Sequence, residues 1–312
     1  MRLFSLEEIT QAARPALVLT AVRDALIAHA EGRTAVPPPM HLEFPGADGD
    51  CHVKAGWISG ASAFAVKIAT GFYRNGARGL PANNGLICVV SAETGQITAL
   101  LDDRGWLTAW RTAAAGALIT HAMAPPEART LGVFGTGLQA RLQAQWLRLL
   151  RPIDEVLVSG RRTQETARLC GELGPSARPA PPDHTARVPI VITATAATAP
   201  LFPAAVVAPG AHVTGIGADM PHKNELPAGL FARAAAIAVD DHSQCLDHGD
   251  LGHAVRAGVV PETAGVAVGA ILRDGFARRP GDITVADLTG VGAADAALAA
   301  EIQRILTPSS TA

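Results

Sequence analysis

The chain has 312 residues, 48% of them hydrophobic, which is enough for two domains of about 100 to 200 residues each. Its 26 basic and 28 acidic side chains leave no cationic excess, so we expect no nucleic-acid partner. Acidic residues near the start lead us to expect no signal peptide, and the absence of a long apolar run leads us to expect no contact with a membrane. Four dispersed cysteines without a CxxC pair argue against disulfides and structural zinc, and favour a cytoplasmic location.

Two architectures follow each other along the chain. Residues 5–31 have helical apolar spacing, which the proline run at 36–40 ends. A run of antiparallel-type strands comes next: HLEF, CHVKAGWI, FAVKIATGF, GLICVVSA and ITALLDD. After the alanine-rich helix LTAWRTAAAGALITHAM, strands alternate with helices: TLGVFG, EVLVSG, PIVITAT, HVTGIGA and AIAVDD. This alternation predicts an α/β domain with a parallel, doubly wound sheet.

Two segments are harder to interpret. Residues 174–188 are rich in proline, and we expect a loop or a degraded strand there. The last segment, GVGAADAALAAEIQRIL, has the composition of a helix, and we expect it to pack back onto the first domain.

A glycine-rich turn follows the strand TLGVFG. Gly135, Gly137 and Ala140 give GTGLQA, the G-x-G-x-x-[G/A] pattern of dinucleotide-binding turns. The first glycine makes the tight turn, and the second lets the backbone approach a pyrophosphate at the helix N-terminus. An ordinary strand-to-helix turn is the alternative, but the strand before, the helix after and the next strand favour a dinucleotide.

The tip of the next strand bears on which dinucleotide binds. An NAD site has an acidic residue about twenty residues after the glycines, whereas an NADP site has cations for the 2′-phosphate. Here Ser159 and Gly160 are followed by Arg161 and Arg162, with no acid. The sequence therefore favours NADPH over NADH, although two arginines at a solvated turn would look the same. We expect the nucleotide to be bound by Gly135, Thr136, Gly137, Leu138, Gln139, Ser159, Arg161, Arg162, Thr195 and Gly217.

Two basic residues stand among small or apolar neighbours. Strand alternation places Lys67 on one face with Ala65 and Ala69, which leaves room for an anion, although an edge lysine extending to solvent is the alternative. Arg111 is the single charge in a long neutral stretch of an alanine-rich helix. A guanidinium in such a setting is expected to be paired, and a carboxylate fits its planar fork.

Three blocks of sequence carry a family resemblance. They are VKIATGFYRNGARGLPANNGLICVVSAETGQITALLDDRGWLTAWRTAAAGAL, LGVFGTGLQA and GIGADMPHKNEL, and together they resemble the ornithine cyclodeaminase/mu-crystallin family over nearly the whole chain. The resemblance implies a Rossmann-type nucleotide domain, residues 116–289, inserted into an α+β substrate-binding and dimerisation domain, residues 1–115 plus 290–312. It therefore implies a homodimer.

The resemblance also assigns roles. Lys67 and Arg111 match the family's carboxylate-binding residues, and Lys67 is included with Asp219 as catalytic. Asp219 matches the aspartate that serves as acid/base beside the nicotinamide, whereas its position alone favours a helix cap. Where many members have an arginine in the first strand region, this chain has His41, so either Lys54 takes over that role or the substrate end is neutral. Both Lys54 and His41 are expected to contact the substrate.

The blocks GFYRNGARGLPANNG and DDRGWLTAWRT look closest to the family's cyclic ketimine reductases. The predicted function is NADPH-dependent reduction of a small cyclic imino acid, 1-pyrroline-2-carboxylate or 1-piperideine-2-carboxylate. An ornithine cyclodeaminase with retained NAD and a ligand-binding protein of mu-crystallin type are the alternatives. The acid- and histidine-rich run DDHSQCLDHGDLGH at 240–253 has helical spacing, so we expect a solvated face there and no metal.

Overall fold

The computed structural model describes residues 1–307 of the chain. By contacts within the chain it divides into two compact units. The first unit is Met1–Arg111 with the chain from Val291 onward, and the second unit is Thr112–Gly290. Within residues 1–307, no helix combines the length and the hydropathy needed to cross a membrane.

The N-terminal segment begins with helices and continues as a sheet. Its elements are β1 (Arg2–Phe4), α1 (Leu6–Ala12), α2 (Pro15–Ala30), β2 (Thr34–Ala35), β3 (Met40–Phe44), β4 (Gly49–Ile58), β5 (Ala63–Phe72), β6 (Asn83–Ser91), β7 (Ile97–Leu101) and α3 (Trp106–Met123). Ser5 and Glu8 form a reciprocal capping box that starts α1, and Pro15 occupies the first turn of α2.

The sheet of the first unit has the strand order β1-β7-β6-β5-β4-β2, with β3 also paired to β4. The pairs among β2 to β7 are antiparallel, and β1 is parallel to β7. Lys54 of β4 lies directly opposite Lys67 of β5, so both side chains project from one face of the sheet. Residues next to them along each strand project from the other face.

The second unit alternates strands and helices. Its elements after α3 are β8 (Thr130–Phe134), α4 (Leu138–Leu150), β9 (Glu155–Ser159), α5 (Thr163–Leu173), β10 (Ala177–Pro179), α6 (Pro182–Ala186), β11 (Ile190–Thr193), β12 (His212–Gly215), α7 (Ala228–Arg233), β13 (Ala236–Val239), α8 (His242–His248), α9 (Asp250–Arg256), β14 (Val266–Ala267), α10 (Val268–Asp274) and β15 (Thr284–Asp287). The last helix of the described chain, α11 (Gly292–Leu306), belongs to the first unit.

Every strand pair of the second unit is parallel, in the order β10-β9-β8-β11-β12-β15-β13-β14. The order reverses direction between β8 and β11, and such a switch point is where doubly wound sheets bind nucleotides at the carboxyl ends of their strands. The predicted α/β class is confirmed by this sheet and by similarity to solved structures of the same fold. The core includes Phe134, Val191, Val213, Phe231 and Val285.

Helix α11 packs on β4, β5 and α2 within the first unit. Its approach to β4 depends on two glycines, because a Cβ on Gly56 would lie 2.4 Å from the carbonyl oxygen of Gly292. A Cβ on Gly292 would lie 2.3 Å from the carbonyl oxygen of Ala55. Only the missing side chains let the two backbones come this close.

The proline-rich stretch at 174–188 contains the three-residue edge strand β10, in agreement with the expected loop or degraded strand. The structure also adds elements that the sequence pattern does not predict, among them α6 in the same stretch. The strands β1, β14 and β15 are also additions. Strand β15 has four residues and is fully buried between β12 and β13, so it has no polar alternation to mark it.

Candidate active site

The glycine turn joins β8 to α4. Gly135 has a φ of 113°, and a Cβ there would lie 2.5 Å from the carbonyl oxygen of Ala194, so glycine is required. Gly137 is the N-cap of α4, and a Cβ on it would meet nothing within 4 Å. No side chain of the described chain caps this helix, so its first N–H groups can bind a pyrophosphate. The predicted residue Thr136 lies in the same turn, and Leu138 and Gln139 are the first two residues of α4.

Ser159, at the carboxyl end of β9, lies next to this turn. Its carbonyl oxygen accepts a hydrogen bond from Gly135 N at 2.9 Å. Arg161 and Arg162 follow it and are exposed, and neither guanidinium forms an ion pair or hydrogen bond with a carboxylate among residues 1–307. Two solvated cations without a protein anion suit a negatively charged ligand at this strand end.

Thr195 and Gly217, two further predicted nucleotide contacts, are joined by one buried carboxyl group. Oε1 of Glu225 accepts from Thr195 N at 2.6 Å and from the Thr195 hydroxyl at 2.7 Å. Its Oε2 accepts from the Thr193 hydroxyl at 2.8 Å and from Gly217 N at 2.7 Å. Burial raises the pKa of Glu225, and these four donors act in the opposite direction. Glu225 therefore fixes the chain segments that follow β11 and β12.

Asp219 lies in the loop after β12. Lys223 Nζ donates to Asp219 Oδ1 at 2.6 Å, and the Asp219 side chain is 42% exposed. The helix-cap interpretation of Asp219 is wrong, because the next helix of the described chain, α7, starts at Ala228 with Pro227 as its N-cap. Asp219 therefore offers a partly exposed carboxylate, paired with an ammonium group, in an irregular loop.

Lys67 and Arg111 meet at a buried carboxylate. Lys67 Nζ donates to Asp295 Oδ2 at 2.9 Å, and Arg111 Nε donates to Asp295 Oδ1 at 3.0 Å. The three residues are 3%, 6% and 3% exposed, in the order Lys67, Arg111 and Asp295. The alternative of a solvent-extended edge lysine is therefore wrong for Lys67. The predicted room for an anion beside Lys67 is partly filled by Asp295.

Burial and neighbouring charges both shift the pKa values of Lys67 and Asp295 in this cluster. Burial lowers the pKa of Lys67 to about 7; Asp295 opposes this shift, while Arg111 and Lys54 reinforce it. Burial alone would raise the pKa of Asp295, but Arg111 and Lys67 outweigh it and hold that pKa below its ordinary value. Asp295 is therefore ionised, and it is a single negative charge facing up to three positive ones.

The two candidates for the missing family arginine occupy different places. Lys54 lies opposite Lys67 in the strand register and shifts the pKa values of both Lys67 and Asp295. His41 lies opposite His52, with a distance of 4.5 Å between the ring centroids. The structure thus brings Lys54 to the buried cluster and places His41 one cross-strand pair further along the same face.

The prediction of a solvated face for the run at 240–253 is wrong. Asp240, His248 and Asp250 are buried, because the short helices α8 and α9 pack against the second unit's core. Asp240 accepts hydrogen bonds from Thr289 N at 3.0 Å and Gly290 N at 2.6 Å. Among residues 1–307, no three His, Cys, Asp or Glu side chains form a group that could hold a metal ion.

Sequence reasoning does not find Asp295, Lys223 or Glu225. Asp295 has one sequence signal, because it is the acid in the first turn of an apolar, alanine-rich helix. That position is also favoured by the helix dipole alone, so it does not by itself indicate a partner.

Comparison with known proteins identifies the family. The profile of the ornithine cyclodeaminase/mu-crystallin family matches residues 2–307. The chain belongs to this family. A Δ1-pyrroline-2-carboxylate reductase of Paracoccus denitrificans is 32% identical over 297 residues, covering 91% of this chain and 92% of the relative. An uncharacterized cyclodeaminase of Sinorhizobium fredii is 38% identical over 276 residues, covering 85% and 82%.

A solved structure is similar to this chain over nearly its whole length. An archaeal alanine dehydrogenase dimer with bound NAD has a TM-score of 0.89 and 28% sequence identity, and the match covers 97% of this chain and 95% of that one. The relatives of this chain are therefore described both as an imine reductase and as an uncharacterized cyclodeaminase, and the choice between the two reactions depends on the site.

Proposed function

We propose that the chain is an NADPH-dependent oxidoreductase that reduces a cyclic 2-ketimine carboxylate, 1-pyrroline-2-carboxylate, to L-proline. The observation that carries this proposal is the buried cluster of Lys67 and Arg111 around Asp295. Arg111 binds Asp295 through Nε, and its two terminal nitrogens have no protein partner within residues 1–307. A substrate carboxylate fits these nitrogens and reduces the excess of buried positive charge. The six-membered analogue 1-piperideine-2-carboxylate, which gives L-pipecolate, presents the same groups.

The residues divide the chemistry between them. Reduction adds a hydride to the C=N carbon and a proton to the nitrogen, and the bound nicotinamide nucleotide supplies the hydride. Lys67 and Arg111 hold the carboxylate attached to that carbon and so orient the C=N bond. We assign to Asp219 the relay of a proton from water to the imine nitrogen and the stabilisation of the resulting iminium charge by its carboxylate, whose direction Lys223 fixes.

A cyclodeaminase is the second candidate, since the relative from Sinorhizobium fredii carries that description. That reaction starts from an amino acid with a charged side-chain amine. The face around the buried cluster already carries Lys54, Lys67 and Arg111, which disfavour a second ammonium group. A binding protein of mu-crystallin type is disfavoured by the Asp219–Lys223 pair, because binding alone does not require a positioned proton carrier.

The test is a substrate panel with purified protein. Absorbance of the reduced nicotinamide is followed with 1-pyrroline-2-carboxylate, 1-piperideine-2-carboxylate, pyruvate plus ammonia, and ornithine. The proposal predicts stoichiometric NADPH oxidation with the cyclic imino acids and formation of proline or pipecolate. Ammonia release from ornithine without net change in the nicotinamide would establish the cyclodeaminase instead.

The cofactor preference rests on Arg161 and Arg162. Replacing both with serine removes two charged donors, each worth about 1.5–3 kcal/mol when it binds an ionised group. The Michaelis constant for NADPH should rise at least about tenfold, while that for NADH stays within about twofold. Arg178→Ser is the matched control, because that exposed arginine is paired with Glu155. Wild-type preference for NADH would contradict the assignment.

We also propose that the protein is a homodimer formed through the free face of the first unit's sheet. Helix α11 covers one face, and the opposite face carries Met40, Leu42 and Phe44 on β3, with exposures of 53%, 48% and 42%. Ile68 and Leu86 are paired across β5 and β6 on the same face and are 40% and 37% exposed. Exposed apolar surface of this extent is typical of an interface.

A second copy of the chain is the partner that fits, because the similar archaeal alanine dehydrogenase is a dimer. Size-exclusion chromatography with light scattering should give twice the chain mass, and Ile68→Lys together with Leu42→Lys should give monomers. Leu149→Lys, at an apolar residue of α4 that is 56% exposed, is the control. A monomeric wild type would contradict the dimer without affecting the proposed reaction.

A further inference from the structure

The backbone position of Asp295 is set by the packing of α11 on the sheet, independently of the bonds that its carboxylate makes with the two cations. Asp295 lies one turn into α11, three residues after Gly292. The contact of Gly292 with Ala55 and Gly56 leaves no space for a side chain and fixes where α11 begins. The position of the Asp295 backbone relative to β4 and β5 is therefore set by a contact that does not involve its own charge.

From that position Asp295 bonds to both cations at once. Its two oxygens are divided, one to Lys67 on β5 and one to Arg111 on α3. Arg111 uses Nε for this bond, so its two terminal nitrogens remain available to bind another acceptor. Lys67 is held at the end of a flexible four-carbon chain, and the bond to Asp295 selects one direction for its ammonium group.

We infer that Asp295 is the positioning residue of the substrate site: it orients Lys67 and Arg111 toward the carboxylate of the substrate and keeps Lys67 charged. This inference rests on the proposed function only in the identity of the substrate. The role assigned to Asp295 is indirect, because it acts through the two cations and touches neither the reacting carbon nor the nucleotide.

The charge that Asp295 supplies matters because two neighbouring cations oppose the protonation of Lys67. Arg111 on α3 and Lys54 on β4 lower the pKa of Lys67, and burial lowers it further, to about 7. Asp103, before α3, has a pKa raised mainly by burial and interacts with Lys67 through its charge. Asp295 in addition accepts a hydrogen bond from Lys67 Nζ at 2.9 Å. Replacing Asp295 with asparagine should therefore lower the pKa of Lys67 below that of the wild type.

The kinetic test compares Asp295→Asn with the wild type in NADPH-dependent imine reduction. A substrate-binding Lys67 must be protonated, so kcat/KM should fall as the pH rises through its pKa, and in Asp295→Asn this fall should begin at lower pH. The Michaelis constant for the imino acid should rise at least about tenfold, whereas nucleotide affinity stays unchanged. Asp295→Glu should recover part of the loss. A uniform loss with an unshifted pH profile would overturn the inference, because that is the result of structural damage alone.

Glu301→Gln is the matched control, because Glu301 lies on the same helix and pairs with Arg304 at the surface. Its pH profile should coincide with that of the wild type. If the control variant also moved the profile, the shift would belong to general destabilisation of α11, and the inference would be overturned.

A second measurement needs no substrate. The chain has three lysines, Lys54, Lys67 and Lys223. Protein that contains lysine labelled with 15N at Nζ therefore gives three side-chain signals in NMR spectra. Lys67→Met assigns the signal of interest. Its titration midpoint should lie lower in Asp295→Asn than in the wild type by about one pH unit or more. An unchanged midpoint would overturn the inference; a lowered midpoint in a protein that reduces no imino acid would support it while refuting the proposed function.

Discussion

Arg111→Lys tests the fork geometry of the carboxylate site while keeping its charge. In the wild type, Nε binds Asp295 at 3.0 Å and the terminal nitrogens remain for the substrate. A lysine has one ammonium group, which cannot bind both carboxylates with this geometry. At least one charge-assisted hydrogen bond is lost, which costs about 1.5–3 kcal/mol.

That cost corresponds to a fall in kcat/KM of about 10- to 150-fold, at about 1.4 kcal/mol for each factor of ten. The assay is steady-state reduction of 1-pyrroline-2-carboxylate, with NADPH affinity measured separately by fluorescence titration. Arg104→Lys is the control, because Arg104 is 63% exposed and its nearest approach to Asp102 is 3.8 Å. If Arg111→Lys weakened NADPH binding as much as imine reduction, Arg111 would belong to the nucleotide site or to the fold, and the reasoning would be wrong.

Three further outcomes are expected. Asp219→Asn should lower imine reduction at least about a hundredfold with NADPH titration unchanged, since the amide keeps the size but not the charge; near wild-type turnover would remove Asp219 from the mechanism. Gly56→Ala should lower the free energy of unfolding by about 1–3 kcal/mol or more, because its Cβ meets backbone, whereas Gly46→Ala, with nothing within 4 Å, should be neutral in thermal denaturation. Glu225→Gln should weaken NADPH binding and stability together, by about 1–3 kcal/mol in denaturant unfolding, because the amide NH2 must face a donor; unaltered binding would refute the role of Glu225 in fixing Gly217.

The sequence predicts the second unit well because its signals are local. The turn requires glycine at Gly135, where φ is 113°, whereas Gly137 has a φ of -85° and open space that a pyrophosphate could approach. Strand β9 ends where Ser159 and Arg161 predict its end, since parallel strands lead directly into turns at the carboxyl edge.

Elements without a local signal are the ones that sequence reasoning misses. Strand β15 is a fully buried strand of four residues, so it has no alternating pattern. The run at 240–253 looks solvated because it is charged, yet Asp240 is buried and satisfied by backbone N–H groups from residues 289 and 290. Hydrogen bonds between residues so far apart in sequence cannot be predicted from the spacing of residues within the run.

Asp295, the partner of Lys67 and Arg111, is also a long-range contact that the sequence does not predict. The apolar surroundings of Arg111 correctly predict a carboxylate partner, but its identity depends on α11 returning to the sheet 184 residues later in the chain. The Gly56–Gly292 contact that allows this return involves two glycines that are unremarkable in sequence. The roles of Lys54 and His41 stay predictions, with Lys54 the nearer to the buried cluster in the strand register.

Measuring NADPH and product together during turnover of 1-pyrroline-2-carboxylate tests the proposed reaction. One proline should form for each NADPH oxidised, with NADH used less well and ornithine not consumed. Release of ammonia and formation of proline from ornithine, with the nicotinamide unchanged at the end of each cycle and no oxidation of NADPH by the cyclic imine, would contradict it.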